Sequence, residues 1–196
     1  EKGIYIMKND IKSIPDKRSR LRQITAIGLM TAVICIIAPF SIPLPMSPVP
    51  LSMTNFVIFI AVYILGMKQA VSCVLLYLLL GAAGMPVFSS FSGGLGKLAG
   101  PTGGYLIGFI FLALIQGFFL EHFSAKKYTA IPGMILGMAV CYIFGTVWLA
   151  LQINQSFTAS LTIGVLPYLP GDSVKIIVAA VAGPKLSAAV RRSSGY

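Results

Sequence analysis

Charge is what this sequence has least of. Only 10% of its 196 residues are Asp, Glu, Lys or Arg, and 57% are apolar. A soluble domain carries about a quarter charged residues, so a water-soluble fold is excluded and the chain reads as an integral membrane protein. Cysteine is scarce too: Cys35, Cys73 and Cys141 each sit inside an apolar run, are odd in number and share no metal-ligand spacing. They are expected to be small buried hydrophobes, with no metal bound. His122 is the single histidine, with no second ligand type near it. No Ser/His/Asp set, facing carboxylate pair, HExxH or phosphate-loop lysine is present, so the sequence offers no enzyme site, no cofactor site and no nucleotide site.

What is there is a chain of apolar runs separated by polar gaps. Runs over 24–39, 53–67, 70–84, 105–120, 131–153 and 171–190 predict six membrane helices, some below the roughly 20 residues of a straight crossing. The fold class expected is all-α: a six-helix bundle over residues 23–190, a basic tail over 1–22 and a short tail over 191–196. No cleavable signal peptide is expected, and Met7 is the expected native start. The net charge is +10, yet the basic residues do not interleave with surface aromatics as a nucleic-acid face would, so no nucleic acid is expected as a partner. With both ends cytoplasmic, thirteen of the fifteen Lys and Arg residues fall on the inner side, as the positive-inside bias requires. Lys97 and Lys175 are the two exceptions, and each needs a local reason.

Five prolines between Pro39 and Pro50 demand an extended, rigid segment, too apolar to float in water and expected to pack as a lid over the outer end of the bundle. Ser52, Thr54 and Asn55 follow it and either line the same mouth or satisfy helix ends. Later, Gly93, Gly94, Gly96, Gly100, Gly103 and Gly104 surround Lys97 and lead through Pro101 into the fourth apolar run. Glycine bares the backbone, and the helix start after Pro101 favours an acceptor such as a carboxylate. The alternative is a flexible loop with a glycine packing face. In Pro170-Gly171-Asp172-Ser173-Val174-Lys175, the aspartate and lysine share one face of a first helical turn. An ionisable pair near membrane depth either caps its own helix or serves a ligand. Scarcity of charge on the outer half favours Asp172, Lys175 and Lys97 converging on one cavity. Trp148 and Tyr168 either form an interfacial aromatic belt or wall an apolar ring. Gly28 and Ala32 make a small-xxx-small pair that lets another helix approach, from within the chain or from a partner.

Gly84-Met85-Pro86-Val87-Phe88, Gly93-Gly94, Gly100-Pro101-Thr102-Gly103-Gly104-Tyr105-Leu106 and Pro170-Gly171-Asp172-Ser173-Val174-Lys175, in that order, resemble the BioY family. Its members are the biotin-binding substrate (S) components of energy-coupling factor (ECF) transporters. The resemblance runs from about residue 21 to 189. It implies a multi-pass protein of the cell membrane that captures biotin near the extracellular side, closed by the loops between helices one and two and between three and four. It implies, as partners, a transmembrane coupling subunit and two ATP-binding cassette ATPases. That fits the missing nucleotide motif and the absence of charged proton-relay residues within the spans. Asp172 and Lys175 match the family's ligand-binding pair. Lys97 stands where arginine is frequent, and Ser52 and Thr54 where Thr and Gln are frequent. By this resemblance Asp172 accepts ureido N–H groups, Lys175 donates to the ureido oxygen, and Lys97 with the N–H groups near Gly103 and Gly104 takes the carboxylate; the two lysines can exchange roles. Tyr105, the proline-rich loop and Trp148 enclose the thiophane ring, and Gly28 and Ala32 dock the coupling subunit. Competing readings are an S component for another vitamin, a membrane-embedded lipid-modifying enzyme, and a purely structural subunit.

Overall fold

The computed structural model describes residues 17–45, 47–123 and 130–193. Most of these are helical. In chain order the helices are α1 (Lys17–Ile37), α2 (Thr54–Leu65), α3 (Met67–Ala82), α4 (Leu95–Ala99), α5 (Gly103–His122), α6 (Ala130–Ile153), α7 (Phe157–Gly164) and α8 (Leu169–Ser193). Windows in four of them, Arg20–Ile37, Gly103–His122, Ala130–Ile153 and Leu169–Val190, are long and apolar enough to cross a membrane. The apolar helices α2 and α3 are shorter. Most of the basic tail over 1–22, the pair Lys126 and Lys127, and residues 194–196 lie outside the described residues.

Helix α2 is the centre. Its twelve residues rise only about 18 Å, yet Val57 to Tyr63 are all buried. A helix apolar on every side belongs to an interior, and α2 packs against α1, α3, α5 and α8. Helices α5 and α6 form the closest pair, because glycines remove the side chains between them. A Cβ on Gly104 would stand 2.3 Å from Trp148 Cβ, one on Gly108 2.7 Å from Cys141 Sγ, and one on Gly145 2.3 Å from Tyr105 Cδ1. On the opposite side Gly28 is different: a Cβ there meets nothing within 4 Å.

Two expectations need correction, and one connection carries structure of its own. The fold is not purely α. Residues Ser41–Leu44 (β1) and Ser47–Ser52 (β2) form an antiparallel hairpin, with Ser41 opposite Ser52 and Ile42 opposite Leu51. Proline cannot donate to a ladder, but a two-stranded ribbon has two free edges, and Pro43 falls at the register irregularity between Ile42 and Leu44. The connection 154–168 is not a bare loop: Ser156 accepts the Ala159 N–H at 3.3 Å and starts α7. Helix α8 begins at Leu169, two residues before the expected Gly171, because Pro170 in the first turn has no N–H to leave unpaired.

The hairpin is tied down at both ends. Ser90 N–H bonds to Pro39 O at 3.0 Å and to Ser41 Oγ at 2.9 Å, and Phe40 stacks edge-on to Phe91 at 5.2 Å. Ser90 and Phe91 both hold positive φ, 60° and 52°. That local strain, of order 1–3 kcal/mol per residue, persists because these contacts hold it. At the other end Tyr168 donates its hydroxyl to Val49 O.

Gly145→Val should lower the melting temperature of the detergent-solubilised protein by several degrees, since overpacking costs about 1–3 kcal/mol. Gly28→Ala should leave it unchanged. Equal melting temperatures for both variants and the parent would contradict the packing role of the α5–α6 glycines.

Candidate functional site

The site is built where the hairpin, α2, α6 and α8 meet. Pro170 starts α8, and one turn later Asp172 and Lys175 point the same way, with Lys175 Nζ 2.8 Å from Asp172 Oδ1. Both are buried, with relative exposures of 6% and 7%. Each buried charge costs several kcal/mol in lost hydration, so a buried pair stands only with further hydrogen bonds. They are present. Asn55, in the first turn of α2, donates Nδ2 to Asp172 Oδ1 at 2.8 Å and accepts Lys175 Nζ at Oδ1 at 3.1 Å. Tyr142 of α6 donates its hydroxyl to Asp172 Oδ2. Lys175 Nζ also reaches Ser52 O at 2.5 Å, which ties the end of β2 to α8. The aspartate and lysine are therefore more than a cap on their own helix.

Above this cluster lies a cavity of about 70 Å³. Its polar floor is Asp172, Lys175, Asn55 and Tyr142; its apolar walls include Tyr105, Phe109, Met138 and Tyr168; its roof is Val49–Ser52 of the hairpin. A second chamber of about 50 Å³ adjoins it across Tyr105 and Phe109, sharing the hairpin roof. Ser52, Thr54, Tyr77, Ser89 and Thr102 line it. The hydroxyls of Tyr77 and Thr102 are buried and meet no hydrogen-bond partner among the described residues. Buried polar groups are nearly always satisfied, so this chamber holds two donors in want of acceptors.

The structure brings together Asp172, Lys175, Ser52 and Tyr105 on one cavity and adds Thr54 on the neighbouring chamber. Ser52 and Thr54 also serve the start of α2, with Ser52 Oγ accepting Thr54 N–H at 3.1 Å. Gly103 and Gly104 are buried at the start of α5, where a Cβ on Gly103 would fall 1.7 Å from Leu98 O. They let α4 and α6 close on α5. Trp148 donates Nε1–H to Gly100 O at 2.9 Å and so pins the glycine-rich segment; it is not among the lining residues of either chamber. Lys97 lies on α4, half-buried, outside the lining of both. It forms no ion pair or side-chain hydrogen bond among the described residues, and burial pulls its ammonium below the usual lysine range. Gly28 and Ala32 face outward on α1, and Gly28 lies beside a groove lined by Ile24, Ile27, Ser72, Leu75 and Leu76. A Cβ on Gly28 would meet nothing within 4 Å among the described residues.

Tyr142 escaped the sequence reading, and Asn55 ranked below its neighbours. The signal for Tyr142 was a hydroxyl in the middle of an apolar run. The signal for Asn55 was an amide at the start of the most apolar helix. Each is expensive at that depth unless it is paired.

The comparisons with known proteins agree with one another. A family model described as the BioY family matches residues 8–192. The biotin transporter BioY of Thermotoga maritima is 36% identical over 85% of this chain and 96% of its own length. The biotin transporter BioY2 of Lactococcus lactis is 28% identical over 92% of this chain and 98% of its own. A crystal structure of the S-component for biotin from an ECF-type ABC transporter matches with a TM-score of 0.82 at 31% identity, covering 88% of this chain and 94% of that one.

Lys175→Met strands a buried carboxylate and should cost about 3–5 kcal/mol of stability. Adding Asp172→Asn removes the stranded charge, so the double variant should cost less than the sum of the singles by at least about 1 kcal/mol. Thermal unfolding of the four proteins measures this coupling. Simple additivity would show that the two groups do not depend on each other.

Proposed function

The chain belongs to the BioY family, and on that premise we propose that it is the biotin-capturing membrane subunit of an ECF-type uptake transporter. It is not an enzyme. The observation that carries the ligand's position is the buried Asp172–Lys175 pair flooring an aromatic-walled cavity under the hairpin. Biotin offers a ureido ring, an apolar sulfur ring and a carboxylate, and the two chambers offer matching surfaces in that order.

The ureido end lies on the polar floor, where Asp172 accepts one of its N–H groups. The sulfur ring lies against Tyr105, Phe109 and Met138. The valeryl tail runs into the second chamber, towards the hydroxyls of Ser52, Thr54 and Thr102 and the start of α5 at Gly103 and Gly104. Lys97, half-buried and without an ion-pair partner among the described residues, supplies the counter-charge as the glycine-rich segment settles on the bound carboxylate. Charge-assisted bonds in a dry site are worth about 1.5–3 kcal/mol each, so even three fall short of the roughly 12 kcal/mol of nanomolar binding, and burial of the sulfur ring and tail supplies the rest. Trp148 acts by holding the segment at Gly100 O.

Uptake is driven from outside the chain, by a transmembrane coupling subunit and two ABC ATPases. Gly28 and Ala32 on the open face of α1 are where the coupling subunit docks. The topology proposed is six spans in the cell membrane, α1, α2, α3, α5, α6 and α8, with both ends cytoplasmic. The lysine and arginine distribution supports it.

Isothermal titration of biotin into the purified protein tests the reading, with thiamine and riboflavin as competitors that should not displace it. Asp172→Asn should weaken biotin binding at least about tenfold, and unchanged affinity would remove Asp172 from the site. Lys97→Ala should weaken biotin by a similar factor but leave biotin methyl ester nearly unaffected. An equal loss for both ligands would show that Lys97 does not meet the carboxylate.

A further inference from the structure

Around Asp172, hydrogen-bonding capacity is almost fully used, and what remains free is specific. Lys175 has three N–H bonds, and they go to Ser52 O, Asn55 Oδ1 and Asp172 Oδ1 at 2.5, 3.1 and 2.8 Å. Tyr142 has one hydroxyl proton, and it is on Asp172 Oδ2. Asp172 Oδ1 already accepts two donors, from Asn55 and Lys175. Oδ2 accepts one among the described residues, and a carboxylate oxygen takes about two.

The orientation of the Asn55 amide is fixed by its neighbours. Its Oδ1 faces an ammonium and the Phe56 N–H at 3.0 Å, and its Nδ2 faces a carboxylate. One Nδ2 hydrogen is spent on Asp172. The other rests against Met138 Sδ at 3.8 Å, and a thioether is a weak acceptor. The floor of the cavity therefore holds one under-used strong donor and one under-used carboxylate lone pair, side by side.

We propose that Asn55 reads the carbonyl oxygen of the ligand's cyclic urea: its second amide N–H leaves Met138 Sδ for that oxygen, while an adjacent urea N–H bonds to Asp172 Oδ2. This moves the direct contact with the oxygen from Lys175, the residue expected for it from sequence, to Asn55. Lys175 is left on Ser52 O, so the hairpin stays tied to α8 while the ligand is held. A ligand without a carbonyl flanked by an N–H leaves Asn55 on sulfur, and the site discriminates against it. The proposal rests on the reading of the ligand as biotin.

The test compares biotin with 2-thiobiotin, which keeps both N–H groups and the shape but offers a weaker acceptor. Titration calorimetry should show the parent protein preferring biotin by about tenfold or more, and Asn55→Leu should bring the two affinities within about threefold. A preference that survives intact in Asn55→Leu, or no preference in the parent, overturns the assignment of Asn55. Should the Leu variant not fold, Asn55→Ser keeps a hydroxyl between Asp172 and Lys175 without a second donor, and the same ratio decides. Failure of the parent to bind either compound would instead refute the ligand itself.

Discussion

One buried ion pair sets the terms for the hairpin end of this molecule. Asp172 and Lys175 lie 2.8 Å apart with almost no exposure, in a chain that has little other charge there. Neither group is tolerable alone at that depth. The pair fixes the start of α8 against α2 through Asn55 and against α6 through Tyr142, and it holds the hairpin through Ser52 O. Four elements from three separate stretches of sequence are brought to one point because the charges need every polar atom they offer. The same concentration of polar atoms, under a roof and between aromatic walls, is what makes the place suited to a small ligand with polar ends and an apolar middle.

The remainder of the fold keeps that point in register. Helix α2 is short and buried on nearly all sides, so its first turn delivers Asn55 into the interior rather than to a headgroup. Glycines between α5 and α6 seat the Tyr105 ring over Gly145 and Trp148 over Gly104. Ser90 and Phe91, in left-handed backbone, turn the α3–α5 connection onto the base of the hairpin. The base of the hairpin and the turn at 89–91 are thereby held together.

Much of this was legible in the sequence, for identifiable reasons. Long apolar runs announce membrane helices because hydrocarbon tolerates little else. Asp172 and Lys175 stood out because charge is rare in the chain and their spacing puts them on one helical face. The proline-rich stretch was readable as ordered and covering, but not as a hairpin, since proline argues against strands and only the free edges of a two-stranded ribbon accommodate it. Tyr142 was hidden, and Asn55 was named without its partner, because Asp172 lies 30 and 117 residues away from them, and no local pattern encodes such pairing. Lys97 and Trp148 were grouped with the pocket by sequence, whereas packing sets Trp148 on the loop backbone and Lys97 at its edge.

Crystals grown with biotin and measured for the anomalous signal of its sulfur test the central claim most directly. The account places that sulfur in the cavity walled by Tyr105, Phe109 and Met138, within about 4 Å of their side chains, with the urea directed at Asp172. A sulfur peak outside that cavity, or a urea turned away from Asp172 and Lys175, would contradict it.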